Sequence, residues 1–143
     1  IAGRSALTSS IRVGTRLAAH GSSMGRVLLA DLPADELSSL YIGHGFRRYT
    51  DQTPANLDEL RSILEDDAKR GYVLSRSFHE RGVVSVAAAV RDTTGGAVAA
   101  INVTAAENSI AAGVLEGVIK DDVVETAQTV SSWLGAVTRA AAE

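Results

Sequence analysis

The sequence contains no cysteine, two prolines, one methionine and one tryptophan, and aromatic residues occupy only 4% of its 143 positions. Without cysteine there is no disulfide, thiolate zinc site, iron–sulfur ligation or cysteine nucleophile. Long apolar runs are missing too. The longest, residues 86–90 and 97–101, have the length of a strand and fall far short of the ~18 residues that suggest a membrane span. Nor is there an excess of positive charge, because 14 Lys and Arg face 17 Asp and Glu for a net charge of −3. Nucleic-acid phosphates need a basic face, so this chain by itself is not expected to bind DNA at physiological salt. The start, Ile1-Ala2-Gly3-Arg4, has neither the basic region nor the apolar core of a signal peptide. The only methionine is Met24, which is the pattern expected of a piece of a longer protein. What is present is a globular balance, 45% apolar and 22% charged, at a length suited to one domain spanning residues 1–143.

Periodicity organises the chain. Ile11, Val13, Thr15 and Leu17 alternate with polar residues and predict a strand over residues 10–17. Ser22 or Ser23 is placed to cap a helix through Met24, Val27, Leu28 and Asp31, stopped by Pro33. Pro33 opens a second short helix with Asp35 and Glu36 in its first turn and Leu37, Leu40 and Tyr41 as its apolar positions. A third helix is expected from a Thr53 cap and Pro54 to Gly71, burying Leu57, Leu60, Leu64 and Ala68. Residues 72–78 alternate again, with Tyr72, Leu74, Arg76 and Phe78 on one side. Two apolar runs, 83–91 and 97–104, flank Asp92-Thr93-Thr94-Gly95-Gly96 and read as a hairpin. After a weakly patterned stretch with a helical turn around 111–116, a long helix begins at Asp121 and Asp122. Its stripe is Val123, Val124, Ala127, Val130, Leu134 and Val137, and it ends near Ala141. Strands joined by short turns are antiparallel, so the class is α+β, with helices on one face of an antiparallel sheet.

Little in this pattern supports catalysis. His20, His44 and His79 lack the spacing of a metal site. No Gly-x-Ser-x-Gly elbow, Gly-x-Gly-x-x-Gly after a strand, or phosphate loop occurs. Neither a metal nor a cofactor is expected. An enzyme alternative is a small hydrolase pairing Ser85 or Ser23 with His79. A binding role has more to stand on. Both faces of the hairpin are apolar, so both are covered. Val84, Val86, Ala88 and Val90 suit a packed core, whereas Val83, Ser85, Ala87 and Ala89 are smaller. With a four-residue loop, Ser85 falls opposite Thr104 and Ala87 opposite Asn102. Ser85, Asn102 and Thr104 then converge among alanines, as in a small-ligand pocket, unless that face simply meets solvent.

Residues 21–33, Gly-Ser-Ser-Met-Gly-Arg-Val-Leu-Leu-Ala-Asp-Leu-Pro, resemble the opening of the effector-binding domain of IclR-type transcriptional regulators. So does Tyr49-Thr50-Asp51-Gln52-Thr53, with its paired threonines, and so do the segments Gly71-Tyr72, Gly82-Val83-Val84-Ser85-Val86-Ala87 and 96–103. The likeness covers residues 10–140. Residues 12–17 and 23–28 are most similar to the branch that regulates aromatic-acid degradation through the β-ketoadipate pathway.

This resemblance implies a GAF-like antiparallel sheet flanked by helices, with a long C-terminal helix. It also implies an N-terminal winged helix-turn-helix that would carry operator DNA binding and is absent here, and a first helix and strands that this chain lacks. By resemblance the protein is a cytoplasmic homodimer or homotetramer with no membrane association. It senses a small organic acid, aromatic or dicarboxylic. The effector-binding residues carried over are Ser23, Met24 and Gly25 at a helix start, then Ser85, Asn102 and Thr104. Where the family usually has acidic residues before Ser85, this chain has Arg76, Ser77 and Phe78. Arg76 is therefore expected to face the pocket and favour an anion.

Overall fold

The computed structural model describes residues 12–136. A 3-10 turn at Ala19–Gly21 leads into α1 (Ser23–Leu29), α2 (Ala34–Leu40) and α3 (Leu57–Arg70). Three strands follow, β1 (Val73–Arg76), β2 (Val83–Arg91) and β3 (Ala97–Ala106), then a wide turn at Leu115–Ile119 and α4 (Lys120–Trp133). The strands form one antiparallel sheet in the order β1-β2-β3.

The expected register of the hairpin is found: Ser85 pairs with Thr104 and Ala87 with Asn102. The connection is one residue longer than expected, and a bulge at Val90 and Arg91 absorbs the difference. Helices cover both faces of the sheet rather than one. On one face Val84, Val86, Ala88 and Val90 pack against Leu115 and against Val123 and Ala127 of α4. On the other, Val27 of α1 packs against Val73 and Ala87, with Ala89 and Ala100 beside them. A third cluster, Leu29, Leu37, Leu60 and Leu64, joins α1, α2 and α3.

Two boundaries differ for clear reasons. Residues 12–17 form no strand, and Ile11 lies outside the described residues. Thr15 N–H donates to Arg12 O at 2.9 Å and Arg12 N–H to Thr15 Oγ1 at 2.9 Å, closing a turn with Gly14 at φ +92°. The cap of α3 is Asn56, not Thr53. Asn56 Oδ1 accepts from Glu59 N–H at 2.9 Å while Glu59 Oε2 accepts from Ala55 N–H at 2.8 Å. That reciprocal pair is a capping box shifted by one residue. The side chain of Thr53 is occupied elsewhere. The terminal helix is described to Trp133, and Val137 and Ala141 lie outside the described residues.

Asp31, just past α1, clamps the hairpin. It accepts from Ala97 N–H at 2.7 Å and from Arg91 Nη1 at 2.5 Å. Arg91 also donates to Gly95 O at 2.7 Å, and its own N–H donates to Ser131 Oγ of α4 at 2.9 Å. Partial burial raises the Asp31 pKa, but the Ala97 and Arg91 hydrogen bonds outweigh it and hold the group below its ordinary 3.8. The carboxylate therefore stabilises the fold fully above the ordinary value, and that contribution is lost as pH falls through the lowered one. Asp31→Asn is expected to cost about 1–2 kcal/mol at neutral pH, reduced by the partial exposure of the pair. Urea titrations at several pH values should show the two proteins converging in strong acid.

Candidate functional site

The face of the sheet under α1 is built in rows. Val73, Ala87 and Asn102 form one row across the three strands, and Ser75, Ser85 and Thr104 form the next. Paired residues of antiparallel neighbours point to the same side, so three hydroxyls lie abreast. Ser75 and Ser85 are buried, at 5% and 7% exposure, while Thr104 is open at the outer strand. Asn102 Nδ2 donates to Thr104 Oγ1 at 2.8 Å.

The orientation of α1 follows from its two ends. Its C-terminal end is fixed at Ala97 and Arg91 by Asp31, and Val27 sits on the Val73–Ala87 row. One turn toward the N-terminus is about 5–6 Å, close to the roughly 6.7 Å between alternate residues of a strand. Ser23, one turn before Val27, is therefore directed toward the end of the sheet that carries the Ser75–Ser85–Thr104 row. It is 6% exposed. Ser22 caps the helix, its Oγ accepting from Gly25 N–H at 3.1 Å. Gly25 is a close-approach glycine: a Cβ there would stand 2.4 Å from both Cα and O of Ala19.

The surrounding shell is rigid. Thr53 Oγ1 accepts from the N–H groups of Tyr49 and Thr50, at 3.1 and 3.0 Å, and donates to Phe78 O at 2.5 Å. Thr50 Oγ1 donates to Ser77 O. The two threonines thus pin residues 49–53 to the end of β1. Arg26 is buried beside the site. Its Nε and Nη2 donate to the Asp67 carboxylate at 2.8 and 2.7 Å, and its guanidinium lies 4.2 Å from the centre of the Phe78 ring.

Of the residues expected to bind effector, Ser23, Met24, Gly25, Ser85, Asn102 and Thr104 belong to this one side of the sheet. Arg76 does not. Side chains alternate along β1, and Ser75, not Arg76, shares the face of Ser85. Arg76 lies on the α4 side, where it is ion-paired with Glu107 at 2.7 Å and with Glu116. Sequence reasoning missed Ser75. The available signal was its pairing with Ser85 across the turn that follows β1.

Two of the three histidines pack against aromatic rings. His20 is buried, with Nε2 3.0 Å from Arg47 O and its ring 5.1 Å from Phe46. His44 is exposed. The His79 ring lies 4.4 Å from that of Tyr49, tilted by 40°. Among the described residues no hydrogen bond joins His79 to a serine, and no group of three acidic or histidine side chains could hold a metal. A half-open cavity of about 830 Å³ lies at the other end of the sheet, near Arg91, Thr93 and Gln128. The Arg91, Asp31 and Ser131 side chains lining it are already engaged with one another or with backbone. The Ser75 and Ser85 hydroxyls under α1, which have no hydrogen-bond partner among the described residues, mark the better candidate.

A helix-flanked antiparallel sheet that presents a small polar face has the form of a ligand-sensing domain. The chain belongs to the family described as bacterial transcriptional regulator IclR C-terminal, whose model matches residues 1–132. It is 34% identical over 125 residues to the HTH-type transcriptional repressor AllR of Klebsiella pneumoniae, covering 86% of this chain and 45% of that protein. The chain thus spans about half the length of the curated relatives it matches. The crystal structure of the repressor BlcR of Agobacterium tumefaciens superposes with a TM-score of 0.81 at 27% identity, covering 90% of this chain and 52% of that one. A double mutant of the PobR inducer-binding domain from Acinetobacter, in complex with 3-hydroxybenzoic acid, gives 0.76 at 28% identity, covering 82% and 67%. The relatives are regulators, and this chain is a regulatory domain rather than an enzyme, which removes the hydrolase alternative. Among the described residues, no helix is long and apolar enough to cross a membrane.

Proposed function

We propose that this chain is the effector-sensing domain of a transcriptional regulator, and that it binds a small organic acid between the sheet and the start of α1. Ser23, Met24, Gly25, Ser85, Asn102 and Thr104 are the proposed contacts. The observation that carries the reading is the row of hydroxyls, Ser75, Ser85 and Thr104, on the face of the sheet that α1 covers. The likeness to a PobR domain holding 3-hydroxybenzoic acid supports an aromatic acid, and the dicarboxylic acids of aromatic degradation are the other class to test. Operator binding is assigned to a further, N-terminal domain of the full-length protein, which acts as a homodimer or homotetramer. Its net charge of −3 suits the present chain to sensing rather than to holding DNA.

Thermal unfolding of the chain with aromatic monoacids, hydroxybenzoates and aliphatic keto-dicarboxylates tests the reading. A ligand at 100 times its Kd adds about 2.7 kcal/mol and raises Tm. No shift with any acid at millimolar concentration would sink it. Arg76→Ala is expected to leave effector affinity within about twofold, because its salt bridges lie on the opposite face. A loss corresponding to about 1.5–3 kcal/mol, as for a charge-assisted bond, would return Arg76 to the site.

A further inference from the structure

We infer that the part of the effector lying on the sheet is uncharged and carries hydroxyl, carbonyl or amide groups, so that the site selects a monoacid bearing such groups over a dicarboxylate. This rests on the reading of that face as the effector site. Ser23, Ser75 and Ser85 are each more than nine-tenths buried. Their hydroxyls have no hydrogen-bond partner among the described residues. They are not among the side-chain atoms sealed off without one, which are Arg26 Nη1 and His79 Nδ1. Each hydroxyl is thus largely withdrawn from bulk water. A serine hydroxyl offers one donor and two acceptor positions and turns freely, so it meets hydroxyl, carbonyl and amide groups equally well.

Among the described residues no cation complements a second carboxylate there. Along the strands this face carries Val73, Ser75, Ser85, Ala87, Asn102 and Thr104. Arg76 is turned to the other side and held by two glutamates. The side-on edge of the Arg26 guanidinium is filled by Asp67. Arg91 is held by Asp31 at the far end of α1. A carboxylate laid on the hydroxyl row would surrender water without gaining a counter-charge, which is unfavourable. An uncharged hydrogen-bonding group replaces its water there with Ser75, Ser85 and Thr104.

Isothermal titration of the full 143-residue chain with two matched sets of acids tests this. One set is benzoate, 3,4-dihydroxybenzoate and terephthalate, and the other is butanoate, 3-hydroxybutanoate and succinate. In whichever set binds, the hydroxylated monoacid is expected to bind at least about tenfold more tightly than its plain parent, with the dicarboxylate weakest. The Ser75→Ala/Ser85→Ala double variant, with its fold checked by circular dichroism and Tm, should lose most of that preference. A dicarboxylate equal to or tighter than the hydroxylated acid would overturn the inference and leave the acid-sensing reading standing. So would a double variant that keeps the full preference. Binding by none of the six would overturn the acid-sensing reading itself.

Discussion

Asp67→Asn is expected to lower the free energy of unfolding by about 3–5 kcal/mol, the cost of leaving a buried charge without its partner. Arg26 and Asp67 are 1% and 2% exposed, and the carboxylate also receives Arg70 Nη2 at 2.7 Å. Burial pulls Arg26 below its ordinary pKa and pushes Asp67 above its own, so each charge persists chiefly because the other faces it. Asparagine cannot neutralise Arg26, and the Phe78 ring supplies only a weak substitute. Urea titration measures the loss as a fall in midpoint at constant slope. Arg26→Met combined with Asp67→Leu should recover most of it, since an apolar pair of similar volume removes both desolvation penalties. A double variant no more stable than Asp67→Asn would show that the pair itself, not the orphaned charge, stabilises the fold.

Gly25→Ala is expected to weaken effector binding by at least about tenfold and to cost about 1–3 kcal/mol of stability through overpacking. The clash is with the backbone of Ala19, at 2.4 Å, which has no flexible end to swing aside. The first turn of α1 must shift, and Ser23 shifts with it away from the hydroxyl row. Calorimetric titration together with Tm separates the two effects. Gly45→Ala is the matched control, because a Cβ there meets nothing within 4 Å and its φ is not positive. Unaltered binding in Gly25→Ala would place the effector away from α1.

Much of the fold could be read from the sequence where one physical signal dominated. Alternation with a short polar turn fixed the β2–β3 register, and a one-residue change in loop length was absorbed by a bulge rather than passed along the strands. The helices were legible from their apolar stripes, but their caps were less so. Thr53 and Asn56 are both good caps, and only the tertiary bonds from Thr53 to Phe78 O show which was free for α3. The candidate site was half legible. Ser85, Asn102 and Thr104 followed from hairpin register, which is local. Ser75 and Arg76 required knowing which way a four-residue strand faces, and both of its faces mix apolar with polar residues. The burial of Val73 against Val27 and Ala87 settles it, so alternation puts Ser75 on that side and Arg76 on the other, where it meets Glu107 and Glu116, 31 and 40 positions away. The alternating residues 12–17 failed as a strand because period alone cannot supply a partner edge, and a local turn competed successfully.

The helix α1 is held at both ends, by the tight seat of Gly25 against Ala19 and by the Asp31 clamp on the hairpin. Such a segment has surrendered its conformational entropy by the time the chain is folded. Fixing a residue's backbone costs about 1–2 kcal/mol at 25 °C, so a loosely held segment of this length would subtract heavily from any ligand's affinity. Here the ordering falls on folding, and a small ligand with few contacts can still bind usefully. The same pinning predicts that loosening the far end, at Asp31, weakens binding through a less favourable entropy while leaving the contact enthalpy nearly intact.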